Sequence, residues 1–236
     1  MNVAIIPARG GSKRIPGKNV KPFAGKPIIV WSIEAAQSAG IFDRIIVTTD
    51  SEEIALVARQ YGAETPFVRP PELSGDHTPT APVIAHCLEW LIEQGSPAQY
   101  ACCIYATAPF VRAHFLKQGY ELLVTRKVSS VFSVTSFPFP IFRAMRIGDN
   151  GHLSMFWPEH ELTRSQDLPE AVHDAGQFYW LDCEVFLKSG RVYGNDALPV
   201  ILPRYLVQDI DTLEDWQTAE YMFSALQQQK NEGRQA

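Results

Sequence analysis

The N-terminal segment constrains the fold of this chain more strongly than any other part of the sequence. Residues 3–6, Val-Ala-Ile-Ile, form an apolar, β-prone run that predicts a buried strand ending at Pro7. Directly after it comes a loop that combines glycines, a serine and four cations: Arg9, Gly10, Gly11, Ser12, Lys13, Arg14 and Lys18. A buried strand that opens into such a loop predicts a ligand site at the end of the strand.

The composition of this loop predicts a polyanionic ligand. Gly10 and Gly11 lack a Cβ and can adopt a positive φ, so their backbone N–H groups can approach an anion closely. Clustered cations repel one another unless something negative lies among them, and a nucleoside triphosphate fits best. Ser12 stands where a Walker loop needs its first glycine, and Pro16 interrupts a dinucleotide-binding pattern. A solvated basic turn is the alternative.

The rest of the chain alternates strand and helix patterns. Helices are predicted at residues 27–40, 51–61, 82–94, 113–125 and from residue 213. Strands are predicted at residues 44–48, 64–68, 100–105 and 130–134. The expected fold is a single α/β domain, residues 1–236, with three layers: a largely parallel twisted sheet of about six or seven strands and helices on both of its faces.

Polar segments follow several of the predicted strands and should meet at one edge of the sheet. Arg69 opens a proline-rich loop after the third strand, and Thr107 follows the strand at residues 100–105. Because ligands bind beyond the carboxyl ends of strands in such sheets, both are expected close to the cation loop. Asp50 also follows a strand, but its spacing to Glu53 is that of a capping box, so it is predicted to cap the second helix.

Asp209 and Asp211 form a D-x-D motif just before the last predicted helix. In an extended segment both carboxylates point to the same side, because side chains alternate with period two. Two carboxylates on one side suit Mg²⁺, which keeps several waters and bridges to substrate phosphates. The motif predicts one or two Mg²⁺ ions; the alternative is that Asp211 only caps the helix it precedes.

Charge and composition argue against several classes of protein. A net charge of −5 gives no reason to expect nucleic acid binding. No apolar run approaches the roughly 20 residues of a membrane span, and the chain starts directly with a strand, so we expect neither a membrane anchor nor a signal peptide. The four cysteines show no C-x-x-C spacing and are predicted to be reduced core residues of a cytoplasmic protein: Cys87, Cys102, Cys103 and Cys183.

Residues 5–19, IIPARGGSKRIPGKN, resemble the N-terminal signature of the CMP-sialic acid synthetase family, and the similarity extends along most of the chain. YATAPF at residues 105–110 and AGQFY at residues 175–179 resemble the branch that uses pseudaminic acid. The resemblance implies a Rossmann-like nucleotide-diphospho-sugar transferase fold. It also implies that the anomeric hydroxyl of an acidic nine-carbon sugar attacks the α-phosphate of CTP and releases pyrophosphate. Finally, it implies a homodimer formed by a small lobe at residues 137–176.

The resemblance and the loop chemistry together assign residues to the site. Nucleotide-binding residues are expected to be Arg9, Gly10, Gly11, Ser12, Lys13, Lys18, Asn19, Arg69 and Thr107. Catalytic roles are expected for Arg9, Lys18 and Asp211, which would neutralise the departing pyrophosphate and hold metal. No histidine or glutamate stands out as a general base, so we expect a metal-activated sugar hydroxyl.

The resemblance places the sugar acid against four residues: Arg143, Arg164, Gln166 and Gln177. Ser165 stands where the relatives carry arginine, so either Arg143 or Arg164 could hold the carboxylate. Gln177 could equally be a strand residue without a special role, and His173 could be an acid–base group or a loop residue.

Other functions remain compatible with parts of the sequence. Sialic or legionaminic acid could be the sugar, because discrimination among these acids depends on the shape of the pocket. A D-x-D glycosyltransferase and a catalytically silent nucleotide-binding regulator are further alternatives. Neither of these two accounts for the cation loop, the D-x-D motif and the long N-terminal match together.

Overall fold

The computed structural model describes residues 1–232 and shows a six-stranded sheet flanked by helices. The strands are β1 (Asn2–Pro7), β2 (Pro22–Phe23), β3 (Lys26–Pro27), β4 (Arg44–Thr48), β5 (Tyr100–Ile104), β6 (Ser130–Ser136), β7 (Met145–Ile147), β8 (Leu153–Met155), β9 (Val172–Asp182) and β10 (Leu198–Ile201). The order across the sheet is β10-β6-β9-β5-β1-β4, and β2-β3 and β7-β8 form two separate hairpins.

The sheet is mostly parallel, as predicted, with one exception. β1 pairs in parallel with β4 and β5, and β10 pairs in parallel with β6. β9 runs antiparallel to both of its neighbours, β5 and β6. Ser136 at the end of β6 pairs with Val172 at the start of β9, so the chain re-enters the sheet at the edge where it left. A strand that returns at the same edge must run backwards, since a parallel strand needs a crossover to the other edge.

Six helices within residues 1–232 cover the sheet, and all but the fifth, which the sequence did not predict, lie close to the predicted positions. They are α1 (Ile28–Ala39), α2 (Glu52–Gln60), α3 (Thr80–Glu93), α4 (Ala113–Arg126), α5 (Cys183–Ser189) and α6 (Leu213–Glu232). α1 follows Pro27 and ends at Gly40, whose φ of 61° is the left-handed conformation that glycine adopts readily. The polar tail from residue 227 is predicted to fray; α6 continues to Glu232, and residues 233–236 lie outside the described part of the chain.

Two local predictions are wrong. Residues 64–68 do not form a strand: Glu64 makes a single bridge to Ile46, and Pro66 has no N–H with which to continue the pairing. Asp50 does not cap the second helix, because the N-cap is Ser51, whose hydroxyl accepts from the backbone N–H of Ile54. Asp50 accepts instead from the backbone N–H of Gly10, a partner that is distant in the sequence.

Apolar side chains fill the space on both faces of the sheet. The face covered by α1 and α4 packs around Trp180, whose indole N–H donates to the carbonyl of Leu116 at 2.9 Å. The opposite face packs α3 and α5 around Ile5 and Ile84. All four cysteines are free and buried, which agrees with the prediction that they are core residues.

Residues 137–174 have a different character from the rest of the chain, because none of them is buried. They form short 3₁₀ turns and the β7-β8 hairpin. Several large apolar side chains are exposed here: Phe139, Met145, Ile147, Leu153, Phe156 and Leu162. Residues 172–176 of the expected lobe belong to β9 of the central sheet. Within residues 1–232 we find no helix with the length and apolar character needed to cross a bilayer.

Candidate active site

The loops that follow β1 and β5, together with the loop before α3, surround a cavity of about 610 Å³. Seven predicted nucleotide-site residues line it: Arg9, Ser12, Lys13, Lys18, Asn19, Arg69 and Thr107. The wall also contains residues that were not assigned to the nucleotide from the sequence: Arg14, Asp76, Thr78, Thr80 and Tyr105. Asp211 reaches the same cavity from the segment before α6, so the cation loop and the D-x-D motif do meet.

The backbone of the cation loop is held by contacts that the sequence does not show. The amide of Asn19 donates to the carbonyl of Arg9 at 2.9 Å, and Asn19 is buried. Neither Gly10 nor Gly11 has a positive φ; Gly17 has it instead, at 64°. A Cβ on Gly10 would lie 3.0 Å from the Cβ of Ser51, so this position needs glycine for close approach to the start of α2.

The sequence predicts that the N–H of Gly10 faces an anionic ligand, but it faces a carboxylate of the protein itself. Its N–H donates to Oδ1 of Asp50 at 2.8 Å. The glycine pair shapes the loop, and the side chains of the loop supply the positive charge. Neither Gly10 nor Gly11 is part of the cavity wall.

Each of the four loop cations contacts a carboxylate. Arg9 donates to Asp76 at 2.5 Å, and Lys13 pairs with the other oxygen of Asp76. Arg14 donates to Oδ2 of Asp211 at 2.6 Å, and Nζ of Lys18 lies 3.4 Å from Oδ1 of Asp211. Lys18 also donates to the carbonyl of Ile210 at 2.5 Å. With Arg69, the cavity wall formed by the described residues thus carries five cations and two carboxylates, and the excess positive charge favours an anionic ligand.

Arg69 differs from the loop cations because its side chain is only 4% exposed. Burial lowers the pKa of its guanidinium, while the nearby charge of Asp50 raises it. Nε and Nη2 of Arg69 are buried without a hydrogen-bond partner in the structure. Arg69 is also part of the cavity wall, and a guanidinium in this position is suited to bind an oxygen anion or a carbonyl oxygen of a ligand.

Of the two aspartates of the D-x-D motif, Asp211 lines the cavity and Asp209 does not; carboxylate oxygens are ligands that suit a divalent cation. Loss of solvation, followed by the charge of Asp211, raises the pKa of Asp209 above its ordinary value. A cation between two like charges of this kind would relieve their repulsion. Residues 1–232 contain no group of three or more His, Cys, Asp or Glu side chains arranged around a metal. A metal here would therefore take its other ligands from phosphate and water, as Mg²⁺ does.

Asp211 is not the cap of α6. The hydroxyl of Thr212 accepts from the backbone N–H of Asp215 at 3.2 Å, which is the capping contact. Oδ2 of Asp215 accepts in return from the backbone N–H groups of Asp211 and Thr212. The carboxylate of Asp211 is thus available for the cavity.

The predicted sugar-binding residues do not converge within one chain. Arg143 donates to the carbonyl of Thr163, and Arg164 donates to Asp167 at 2.6 Å, both in the exposed segment. Gln166 is exposed in the same segment. Gln177 is buried in β9, where its amide donates to the carbonyl of Leu206. None of the four lines the 610 Å³ cavity.

A second cavity of about 390 Å³ shares Thr80 and Tyr105 with the first. Tyr179 and Tyr193 form part of its wall, and both hydroxyls donate to Asp174, at 2.8 and 2.7 Å. Sequence reasoning did not find this cluster, since its members are spread over residues 80–193 and match no motif. The order of the strands brings them together.

A mostly parallel sheet with a cationic cavity at its strand ends defines a nucleotide-binding α/β protein. A family model described as cytidylyltransferase matches residues 3–147, and the chain belongs to this family. It is 43% identical over 222 residues to the pseudaminic acid cytidylyltransferase of Campylobacter jejuni, and the alignment covers 94% of this chain and 96% of that protein.

Relatives with lower sequence identity include enzymes named for other acidic sugars. The CMP-N,N'-diacetyllegionaminic acid synthase of Legionella pneumophila is 31% identical over 96% of this chain and 97% of its own length. The N-acylneuraminate cytidylyltransferase of Escherichia coli is 30% identical over 97% of this chain and 52% of its own length. A solved CMP:2-keto-3-deoxy-manno-octonic acid synthetase in complex with CTP has a TM-score of 0.68 at 14% identity, covering 95% of this chain and 98% of that chain, and supports the fold.

Proposed function

We propose that this protein is a CTP-dependent cytidylyltransferase that activates pseudaminic acid, giving the CMP-sugar and pyrophosphate. The observation that carries this proposal is that cations from two loops line the same cavity as Asp211. They include Arg9, Lys18 and Arg69. The identity of 43% over nearly the full length of both proteins supports the choice of sugar. Legionaminic and neuraminic acids are the alternatives, at 31% and 30% identity.

The cavity assigns the charge-stabilising roles. Arg9, Lys13 and Lys18 would bind the triphosphate of CTP and stabilise the negative charge that builds up as the bond between the α-phosphorus and the pyrophosphate oxygen breaks. Arg69 would donate to the nucleotide from the cavity wall. Thr107 would contact the nucleotide from the end of β5. These groups position the α-phosphate for attack by the anomeric hydroxyl of the sugar.

Asp209 and Asp211 would hold Mg²⁺, and when bound the ion polarises the phosphate and lowers the pKa of the attacking hydroxyl. Asp211 is placed for this role because it lies on the cavity wall beside the triphosphate-binding cations.

A homodimer would complete the sugar side of the site. The segment that contains Arg143, Arg164 and Gln166 lies outside the cavity and exposes several large apolar side chains. An apolar surface flanked by arginines is typical of the centre of a protein interface. We expect this segment to pack against a second copy of the chain. The four free buried cysteines and the use of CTP support a cytoplasmic location.

The proposed reaction is tested by measuring pyrophosphate release from CTP and Mg²⁺ with pseudaminic, legionaminic and N-acetylneuraminic acids in parallel. We expect release with pseudaminic acid and none after chelation of Mg²⁺. Release with only one of the other two acids would support the proposed reaction and identify that acid as the substrate. CTP binding without release for any acid would contradict the enzymatic function and support a nucleotide-binding regulator.

A further inference from the structure

The loop before α3 carries a carboxylate into the phosphate-binding side of the cavity. Oδ1 of Asp76 accepts from Nη1 of Arg9 at 2.5 Å, and Oδ2 pairs with Nζ of Lys13. Hydrogen bonds from Lys13 and Arg9 lower the pKa of Asp76, so this group stays ionised at neutral pH. Both oxygens of Asp76 therefore lie on cations that the proposed function assigns to the triphosphate.

A phosphate and this carboxylate compete for the same donors. An arginine Nη1 and a lysine Nζ that bind Asp76 at short distance have the geometry with which they would bind two phosphate oxygens. Both anions cannot occupy this position together, because two negative groups at one site repel each other. Nη1 of Arg9 and the N–H of Lys13 that points to Asp76 can therefore bind a phosphate in this position only after Asp76 has moved away.

The segment that carries Asp76 makes few buried contacts with the rest of the protein. Its backbone is attached at one end by Arg69, whose N–H donates to the carbonyl of Thr49 at 2.8 Å, and at the other end by α3. None of residues 71–79 is buried, and the backbone hydrogen bonds among these residues are local. Segments with few buried contacts are the ones that open at low free-energy cost. We call residues 70–79 the strap.

We propose that Asp76 is an internal competitor for the phosphate site, and that binding of the CTP triphosphate displaces the strap from Arg9 and Lys13. The inference rests on the proposed use of CTP and adds a residue that sets the affinity for the nucleotide. If only a fraction of the molecules has an open site, the apparent affinity for the ligand is the affinity of the open site multiplied by that fraction. Return of Asp76 to the two cations would also favour departure of pyrophosphate.

The test compares Asp76→Asn with wild type by calorimetric titration with CTP and, separately, with inorganic tripolyphosphate. Asparagine keeps the size of the side chain and removes the charge. We expect the variant to bind both ligands about three- to tenfold more tightly, the range for two exposed ion pairs, and by the same factor, because both must displace the same carboxylate. Asp76→Glu, which keeps the charge, should stay close to wild type.

Glu72→Gln is the matched control for the change in net charge. Glu72 is exposed in the same strap, and its backbone carbonyl rather than its carboxylate accepts from the hydroxyl of Thr78. This control should leave both affinities within about twofold of wild type, since an exposed carboxylate without an ion pair contributes little. An equal gain in Glu72→Gln and Asp76→Asn would show a general charge effect and overturn the proposal.

Movement of the strap gives a second measurement. The four native cysteines are buried, and burial raises the pKa of the Cys87 thiol to about 12, so a Glu72→Cys variant can be labelled selectively with an environment-sensitive fluorophore. Saturating CTP or tripolyphosphate should shift the emission of the labelled protein. In the Asp76→Asn background the emission should already be shifted and change little on addition of either ligand.

Three outcomes separate this inference from the proposed function. Weaker binding of both ligands by Asp76→Asn, or an unchanged emission at saturation, would overturn the inference while leaving the CTP-dependent reaction intact. A failure of CTP to bind the wild-type protein, together with tighter tripolyphosphate binding by the variant, would contradict the proposed function and support the displacement of Asp76. Tighter binding of both ligands with the emission shift would support both.

Discussion

Oδ1 of Asp50 accepts a hydrogen bond from the backbone N–H of Gly10 at 2.8 Å, which ties the end of β4 to the cation loop after β1. The same oxygen lies 3.9 Å from Nη2 of Arg69. One carboxylate thus holds a loop backbone on one side and faces a buried guanidinium on the other. Asp50 positions two parts of the nucleotide cavity without lining that cavity itself.

Replacement of Asp50 should weaken nucleotide binding. Asp50→Ala removes the acceptor for Gly10 and the charge that faces Arg69, so we expect the KM for CTP to rise about tenfold, as for the loss of one charged hydrogen bond. Asp50→Asn keeps an acceptor oxygen and should have a smaller effect. Glu53→Gln, an exposed change one helical turn away, is the control. A KM for Asp50→Ala equal to that of the control would contradict the positioning role.

Replacement of Asp211 should remove the dependence on metal. We expect Asp211→Asn to lower turnover at least about a hundredfold, because the variant loses a ligand for the ion that neutralises charge in the transition state. The fold should persist, since the Asp211 carboxylate pairs with Arg14 and Lys18 near the surface. Magnesium activation curves and circular dichroism check both points. Turnover near the wild-type level in the folded variant would rule out the metal assignment.

A charge on the β7-β8 hairpin should dissociate the proposed dimer. Ile147 and Leu153 pair across this hairpin and are 76% and 66% exposed. Ile147→Asp would place a charge in an apolar interface, where its desolvation is costly. Sedimentation should then report a monomer, whereas Leu56→Asp, at an exposed apolar position of α2, should leave the dimer intact. A monomeric wild-type protein at micromolar concentration would refute the dimer itself.

Gly119 in α4 should be sensitive to a single methyl group. A Cβ at this position would lie 2.7 Å from Cδ1 of Trp180, whose ring is buried against the helix. Gly119→Ala should therefore destabilise the protein by about 1–3 kcal/mol, the usual cost of overpacking, although alanine favours helices. Thermal unfolding measures the loss. Gln118→Ala, one residue earlier and exposed, should change the midpoint little, and an equal midpoint for both variants would disprove the close packing.

Local patterns account for the parts of the fold that the sequence predicts well. The bounds of α1, α2 and α4 lie within two residues of prediction, because apolar periodicity and stop residues such as Gly40 act over a few positions. The direction of β9 is not encoded locally. It depends on where the exposed segment at residues 137–171 returns the chain to the sheet.

The candidate site also has some features that the local sequence predicts and others that depend on the tertiary structure. The sequence predicts that Arg9, Lys18 and Arg69 share a site, because residues after parallel strands meet at one edge. It does not predict that Asp50 contacts Gly10, since a carboxylate beside a helix start can cap the helix or turn away from it. The choice between these partners depends on a backbone N–H that is 40 residues away in the sequence.

By itself, the sequence determined the β1 strand with its cation loop, the positions of five of the six helices in the described part of the chain and the buried cysteines. Each of these follows from residue type and from spacing over a few positions. Only the tertiary structure decided which polar groups meet: Asp76 with Arg9, Asp211 with Arg14, and Asp174 with two tyrosines. The reason is physical, because a contact between side chains depends on distances that are set by strand order and packing across the whole sheet.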